Sequence, residues 1–363
     1  MRRLDGEVLY STQANRLFTP ASVAKLATTA TALRLLGPET RFKTELLAES
    51  EAASGTLPGD LWLKGYGDPT LRSDDLAGFA AALAARGVRR ISGDLVADAS
   101  HFYGPRYPAG WMWDDLTYGF AAPVSALTLD GNASMADPMH EAPELRTAQR
   151  LNERLAAAGI TLAGTVRVGQ APASASVVLY RHVSPPLAEI VTRTNKDSNN
   201  LFAETLVHQM GLLPLATSGF PGSHAAGMAV LRQALAESGW EEGTYRLADG
   251  SGLSRYDVVT PRQMTCLLAA AARMPEAESF LASLPVAGVD GTLATRMVGT
   301  RAQGVLIAKT GTMSGVSSLC GYVVKPGREP VAFALMINGF VGSAKPVQAL
   351  QDALMDALVS AVD

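Results

Sequence analysis

A chain of 363 residues with 47% hydrophobic and 18% charged residues can bury a sizeable core, is not a disordered segment, and has the length of roughly two domains. Its formal net charge of −3 and lack of any basic run exclude a general nucleic-acid binder. Neither a leader-type apolar core after Met1-Arg2-Arg3 nor a transmembrane stretch is visible, so the sequence at face value reads as cytoplasmic or as lacking an export segment.

In chain order, Asp5-Gly6-Glu7 followed by Val8-Leu9-Tyr10-Ser11 reads as a turn and the second arm of a hairpin whose first arm is expected before Met1. Pro20 and Ser22 open a helix that runs through the apolar stretch Leu26–Leu36 and stops at Gly37-Pro38. This puts Lys25 one turn after Ser22 on the same face. Alternation predicts strands over 41–48, 60–64 and 90–98, and an Ala/Leu pattern predicts a helix over 74–86. An aromatic, turn-rich segment follows from Phe102 to Phe120, then an amphipathic helix over 143–158, strands over 165–168 and 177–181, and a loop over 171–176. With so many elements of its own, 37–183 reads as an inserted domain. Helices are expected over 186–193, 199–210, 225–238 and 261–273, then three strands over 304–309, 318–324 and 331–337 and a closing helix over 344–362. Short turns between those strands imply an antiparallel sheet.

His101, His140, His182, His208 and His224 are scattered without ligand spacing, so no metal or other cofactor is expected. Cys266 and Cys320 lie in apolar surroundings that suit buried free thiols, although pairing stays open.

Three short motifs carry the chemistry. Ser22-x-x-Lys25 comes first, Ser198-Asn199-Asn200 follows at a helix start, and Lys309-Thr310-Gly311-Thr312 comes last at a strand end. Alone, each has a bland reading as a helix cap or a turn. Together and in this order they match the S-x-x-K, S-x-N and K-T-G set of class A β-lactamases and penicillin-binding proteins. The residue types suit acyl transfer: Ser22 attacks a carbonyl, and Lys25 serves as base if burial and a second cation, Lys309, lower its pKa. Ser198 is placed to pass a proton to the leaving amine, and Asn200 can bind either Lys25 or a substrate amide. The N–H groups of Ser22 and Thr312 are natural oxyanion donors, each such donor being worth ~3–4 kcal/mol. Lys309, Thr310 and Thr312 suit a substrate carboxylate.

The whole chain resembles the serine D-alanyl-D-alanine carboxypeptidases of the class C, low-molecular-mass penicillin-binding proteins, peptidase family S13. Besides the motifs, Leu9-Tyr10-Ser11, Phe18-Thr19-Pro20-Ala21-Ser22, Gly65-Tyr66-Gly67-Asp68-Pro69, Trp111-x-Trp113-Asp114-Asp115, Ala121-x-Pro123-Val124-Ser125-Ala126-Leu127 and Asp249-Gly250-Ser251-Gly252-Leu253-Ser254-Arg255 carry the likeness. The resemblance implies an α/β (α+β) fold: a discontinuous DD-peptidase domain over 1–36 and 184–363, with an antiparallel sheet flanked by helices, and a mixed α/β inserted domain over 37–183 whose nested third domain is lost or reduced. It implies Ser22 as nucleophile, Lys25 as base, Ser198, Asn200 and Lys309 as partners, and Thr310, Gly311 and Thr312 as the carboxylate site. Arg255 lies in a stretch near the family's active site, with a structural salt bridge as the other reading. Asp114, or Asp115 beside it, is a candidate reader of a free amino group on the stem peptide, against a plain turn carboxylate. Expected partners are peptidoglycan stem peptides ending in D-Ala-D-Ala, β-lactams as covalent inhibitors, and no nucleic acid. The expected location is the cell envelope. A β-lactamase-like hydrolase and a non-catalytic wall-binding protein are the alternatives.

Overall fold

The computed structural model of the chain describes residues 1–132, 142–216 and 219–361. Strand β1 (Arg2–Arg3) is the first arm of the N-terminal hairpin, bridged to Val8, with the Arg3 N–H donating to Glu7 O at 2.9 Å. The expectation that this arm precedes Met1 is corrected: Arg2 and Arg3 also pair antiparallel with Ala332 and Val331, so both sides of β1 are used. Residues Ala21–Ala24 form one 3-10 turn that continues into α1 (Lys25–Leu36), which ends at Gly37 as the sequence predicts. Every residue of α1 from Lys25 to Leu33 is buried. A helix wrapped on all sides needs no apolar stripe, and Leu26–Leu33 accordingly consists of Ala, Thr and Leu alone.

The next elements are β2 (Lys43–Ala48), β3 (Thr56–Leu57), β4 (Leu61–Gly65), α2 (Leu76–Ala85), β5 (Arg90–Ile91), β6 (Leu95–Asp98), α3 (Pro143–Ala157), β7 (Thr161–Leu162), β8 (Val166–Val168) and β9 (Val177–Val183). They build a five-stranded sheet of mixed polarity, ordered β8-β6-β4-β2-β9, and a small parallel sheet, β3-β5-β7. Leu46, Leu61, Leu63 and Leu95 pack there against Phe79, Leu83, Leu151 and Leu155. The single strand expected over 90–98 is two: Ile91 belongs to the small sheet and Leu95 to the large one. The intervening Asp94 turns its carboxylate to the Thr165 N–H (2.8 Å) and to Arg167 Nε (2.6 Å).

The remaining helices are α4 (Leu187–Lys196), α5 (Asn200–Met210), α6 (His224–Glu237), α7 (Pro261–Ala271) and the short α8 (Ala277–Ala282), which the sequence pattern did not reveal. Strands β10 (Leu306–Met313), β11 (Val316–Val323) and β12 (Val331–Asn338) and helix α9 (Lys345–Ala361) complete the fold; Val362, placed in that helix by the sequence, lies outside the described residues. The sheet β1-β12-β11-β10 is antiparallel throughout, with β10 at an edge. On one face Cys320 and Tyr322 meet the core formed by α1, α4, α5, α6 and α7, and on the other Leu319 and Phe333 meet Met355 and Val359 of α9. The result is a layered helix–sheet–helix arrangement with α1 at its centre. Cys266 and Cys320 are both free, and burial pushes the Cys320 thiol up to about 12.

The loop over 249–255 runs under the 3-10 turn that carries Ser22. Gly252 there has φ +76°, and a Cβ would stand 2.0 Å from Ala21 O. Gly252→Ala is therefore expected to cost ~1–2 kcal/mol in backbone strain and more in displacing the turn. Gly239→Ala is the control, since Gly239 has φ +81° but a methyl group there would meet nothing within 4 Å. Thermal unfolding of both variants checks this: an equal loss of Tm would refute the close approach beneath Ser22.

Candidate active site

Ser22 sits in the Ala21–Ala24 turn just after Ala21, whose φ of 50° is strained for a residue with a side chain. Packing holds the turn: β10 passes so close that a Cβ on Gly311 would be 2.7 Å from Pro20 O and 3.0 Å from Ser22 N. The glycine of Lys-Thr-Gly is what permits that approach. The motif lies inside β10 and not at its end, correcting the sequence expectation, because the strand continues to Met313 in register with Val316. The Ser22 hydroxyl makes no capping bond; its partner is Lys25.

Lys25 is fully buried, and its Nζ lies 3.0 Å from Ser22 Oγ, 2.5 Å from Asn200 Oδ1 and 2.6 Å from Ser251 O. Two of these partners, an amide oxygen and a carbonyl oxygen, can only accept. Two amine protons are thereby committed, and the third position on nitrogen faces the Ser22 hydroxyl. It carries a proton when Lys25 is charged and a lone pair when Lys25 is neutral, the form needed to take the Ser22 proton. Burial lowers the Lys25 pKa to about 8, against the opposing pull of Asp249, Glu204 and Asp257. The sequence reading gave Lys309 a share in that shift; here burial does it, and the effect of one cation on the other shows at Lys309.

Lys309, also fully buried, donates to Ser198 Oγ at 2.8 Å and to Thr310 O at 2.9 Å. Burial first, and Lys25 second, push its pKa well below the ordinary value. Ser198 has φ 58°. It is not the helix cap: Asn199 fills that role, accepting from the Phe202 N–H at 3.0 Å, which leaves the Ser198 hydroxyl for Lys309. Asn200 meets Lys25, its Oδ1 accepting from Lys25 Nζ while Nδ2 donates to Phe120 O at 2.9 Å.

The edge of β10 points its backbone into the cleft. Leu306 O accepts from the Ala287 N–H and the Ala308 N–H donates to Pro285 O, so even-numbered residues face away from β11. Thr310 and Thr312 continue that side beyond the strip formed by 285–287. The Thr310 hydroxyl contacts Thr292 Oγ1 at 2.8 Å, and Gln348 Nε2 reaches Thr312 Oγ1 at 3.4 Å.

Arg255 is half-buried and donates to Ser314 O at 3.1 Å, in the turn that follows β10. Asp114 is exposed in the 3-10 turn Trp113–Thr117, with no side-chain hydrogen bond among the described residues; Asp115 beside it is half-buried. Neither acid touches the Ser22–Lys25 cluster. No three His, Cys, Asp or Glu side chains are grouped as metal ligands among the described residues, and His140 lies outside them.

The sequence reading missed the floor of the site. Glu204 accepts the Gly250 N–H with both oxygens (3.0 and 3.3 Å) and lies 3.2 Å from His224 Nε2. Asp249 and Asp257 are fully buried beside it, and burial followed by the Asp249 charge pushes the Asp257 carboxyl well above the usual range. Two signals were present: the Asp249–Arg255 stretch itself, and the position of Glu204 one helical turn after Asn200.

The sequence profile of the D-Ala-D-Ala carboxypeptidase 3 (S13) family matches residues 2–143 and 139–361. The D-alanyl-D-alanine carboxypeptidase of Actinomadura sp. (strain R39) is 37% identical, over 96% of this chain and 78% of that protein. The D-alanyl-D-alanine carboxypeptidase DacB of Haemophilus influenzae is 28% identical, over 88% of this chain and 80% of that protein. The crystal structure of penicillin binding protein 4 (dacB) from Haemophilus influenzae superposes with a TM-score of 0.88 at 25% identity, covering 99% of this chain and 95% of that one.

A lysine that titrates at about 8 when folded and near 10.5 when unfolded makes stability depend on pH. Between those values the unfolded chain binds the extra proton, so stability rises as the pH climbs through the window and is lowest below it. Lys25→Met should remove much of this slope. Melting curves of both proteins between pH 7 and about 10 are expected to show the wild type gaining on the variant; a constant difference would mean that Lys25 pays no burial cost as a cation.

Proposed function

The chain belongs to the S13 family of serine D-Ala-D-Ala carboxypeptidases, and from that premise we propose that it cleaves the terminal D-Ala-D-Ala bond of peptidoglycan stem peptides through an acyl-enzyme on Ser22. The observation that carries this reading is the commitment of two Lys25 protons to Asn200 Oδ1 and Ser251 O, which leaves the third site for the Ser22 proton. Neutral Lys25 accepts that proton while Ser22 Oγ attacks the carbonyl of the penultimate D-Ala. The N–H groups of Ser22 and Thr312 receive the oxyanion. Ser198, held by Lys309 Nζ at 2.8 Å, relays a proton to the departing D-Ala nitrogen. Water then displaces the acyl group, with Lys25 again as base.

The terminal carboxylate of the substrate fits beside Lys309, Thr310 and Thr312, with Gly311 allowing the close approach of β10. A bound anion supplies the counter-charge that burial denies Lys309, so substrate binding favours protonation there. Residues 37–183 act in this reading as an inserted domain that brings Asp114 to the substrate, where its carboxylate meets a free amino group of the stem peptide. Hydrolysis of cross-links is the same chemistry with a different leaving amine. The substrate places the enzyme in the cell envelope.

Intact mass after brief incubation with benzylpenicillin should show one lasting adduct that maps to Ser22 and is absent from Ser22→Ala. Drug consumption without an adduct would favour a β-lactamase, and unchanged peptide turnover by Ser22→Ala would sink the mechanism. Asp114→Asn is expected to raise KM about tenfold, roughly one surface-to-partly-buried charge contact, for peptides with a free side-chain amine. Its penicillin acylation should be unaltered, and an unaffected KM would remove Asp114 from the substrate site.

A further inference from the structure

The segment 109–121 has no strand or α-helix of its own, only the 3-10 turns Trp113–Thr117 and Gly119–Ala121. It is tied down from outside. Ser254 Oγ donates to Ala109 O at 2.9 Å, the Arg255 N–H donates to Gly110 O at 3.1 Å, Trp111 Nε1 donates to Asp249 Oδ2 at 2.8 Å, and Asn200 Nδ2 donates to Phe120 O at 2.9 Å. Two of these ties end on the groups that hold the acceptors of Lys25.

At one tie, Phe120 O can only accept, so it selects the amide nitrogen of Asn200 and leaves Oδ1 for Lys25 Nζ. At the other, Asp249 Oδ1 accepts the Gly252 N–H at 2.6 Å. In a trans peptide the C=O and N–H point in opposite directions. Fixing the Gly252 N–H on Asp249 therefore aims the Ser251 carbonyl the other way, where Lys25 Nζ lies at 2.6 Å. Asp249 Oδ2 takes Ser251 Oγ (2.9 Å), the Ser254 N–H (2.8 Å) and the Trp111 indole, the last being its tie to the aromatic segment.

We propose that the 109–121 segment is the positioning element of the general base, with Trp111 acting through Asp249 and the Phe120 carbonyl acting through Asn200 to aim both acceptors of Lys25. This rests on the assignment of Lys25 as base. Trp111 and Asp249 are positioning residues, since neither touches Ser22. The same segment carries Asp114, so a side chain engaged there is mechanically joined to the base. The charged and titratable groups facing Lys25 are Asp249 and Asp257 of the loop, Glu204 of α5, backed by His224 of α6, and Lys309 of β10.

Trp111→Phe keeps the ring and removes the N–H. The test is the rate of Ser22 acylation by benzylpenicillin against pH, read by intact mass on the full chain, because the drug has no stem-peptide side chain to be recognised. In the variant the Asp249 charge, no longer shared with the indole, faces Lys25 more strongly and holds it protonated to higher pH. The acid limb should move up and acylation at pH 7 fall about tenfold, the equivalent of roughly one pK unit. Ser254→Ala, which releases the Ala109 end, should shift the limb the same way by less, and melting curves of both variants report folding. A variant profile superposing on the wild type overturns the proposal, as does a raised KM for peptide with penicillin acylation unchanged, which would make Trp111 a substrate contact only. Wild-type protein that takes no adduct on Ser22 would instead overturn the function on which the proposal rests.

Discussion

A primary amine has a fixed number of positions on nitrogen, and at Lys25 two of them are claimed by oxygens that can only accept. That constraint makes the third position face Ser22, and much of the surrounding structure serves it. Helix α1 is buried along its length from Lys25 to Leu33, so the Lys25 side chain has no route to solvent. Asn200 cannot turn its amide without losing Phe120 O, and the Ser251 carbonyl cannot swing without dragging the Gly252 N–H off Asp249.

Burying two lysines in one cleft is costly, and the response is local. Asp249 and Glu204 lie beneath Lys25 and soften the effect of burial there, whereas at Lys309 the Lys25 charge adds to burial and pushes in the same direction. Burial and the Asp249 charge raise the Asp257 carboxyl, which disfavours three charged carboxylates side by side in the floor. The backbone contributes strain as well: Ala21 and Ser198, each beside or within a motif, hold positive φ angles that residues with side chains adopt only when packing insists. Nucleophile and relay are thus placed by conformations that their own sequences do not favour.

The legible part of the sequence was the part written in side chains. Ser22, Lys25, Ser198, Asn200 and Lys309 could be recognised because their chemistry depends on residue type, and the Gly37-Pro38 stop marked the end of the helix that carries Lys25. The rest was written in the backbone. Ser251 contributes a carbonyl that any residue could offer, so composition does not advertise it. The break at Ser92–Asp94 follows from two sheets competing for one run, and the helix cap falls on Asn199, with the Ser198 hydroxyl held by Lys309. The first hairpin arm was missed because two arginines do not resemble a strand until β12 is beside them.

The contacts that define the site join residues far apart along the chain: Lys25 to Asn200 across 175 positions, Lys25 to Ser251 across 226, and Ser198 to Lys309 across 111. Contacts of that span close late in folding, after the intervening chain has ordered. A growing polypeptide lacks Lys309 and the edge of β10 until nearly all of it has been made, and until then Ser22 and Lys25 have no cleft in which to work. Catalysis arrives with the last strands, so unfinished chains carry the nucleophile without its reactivity.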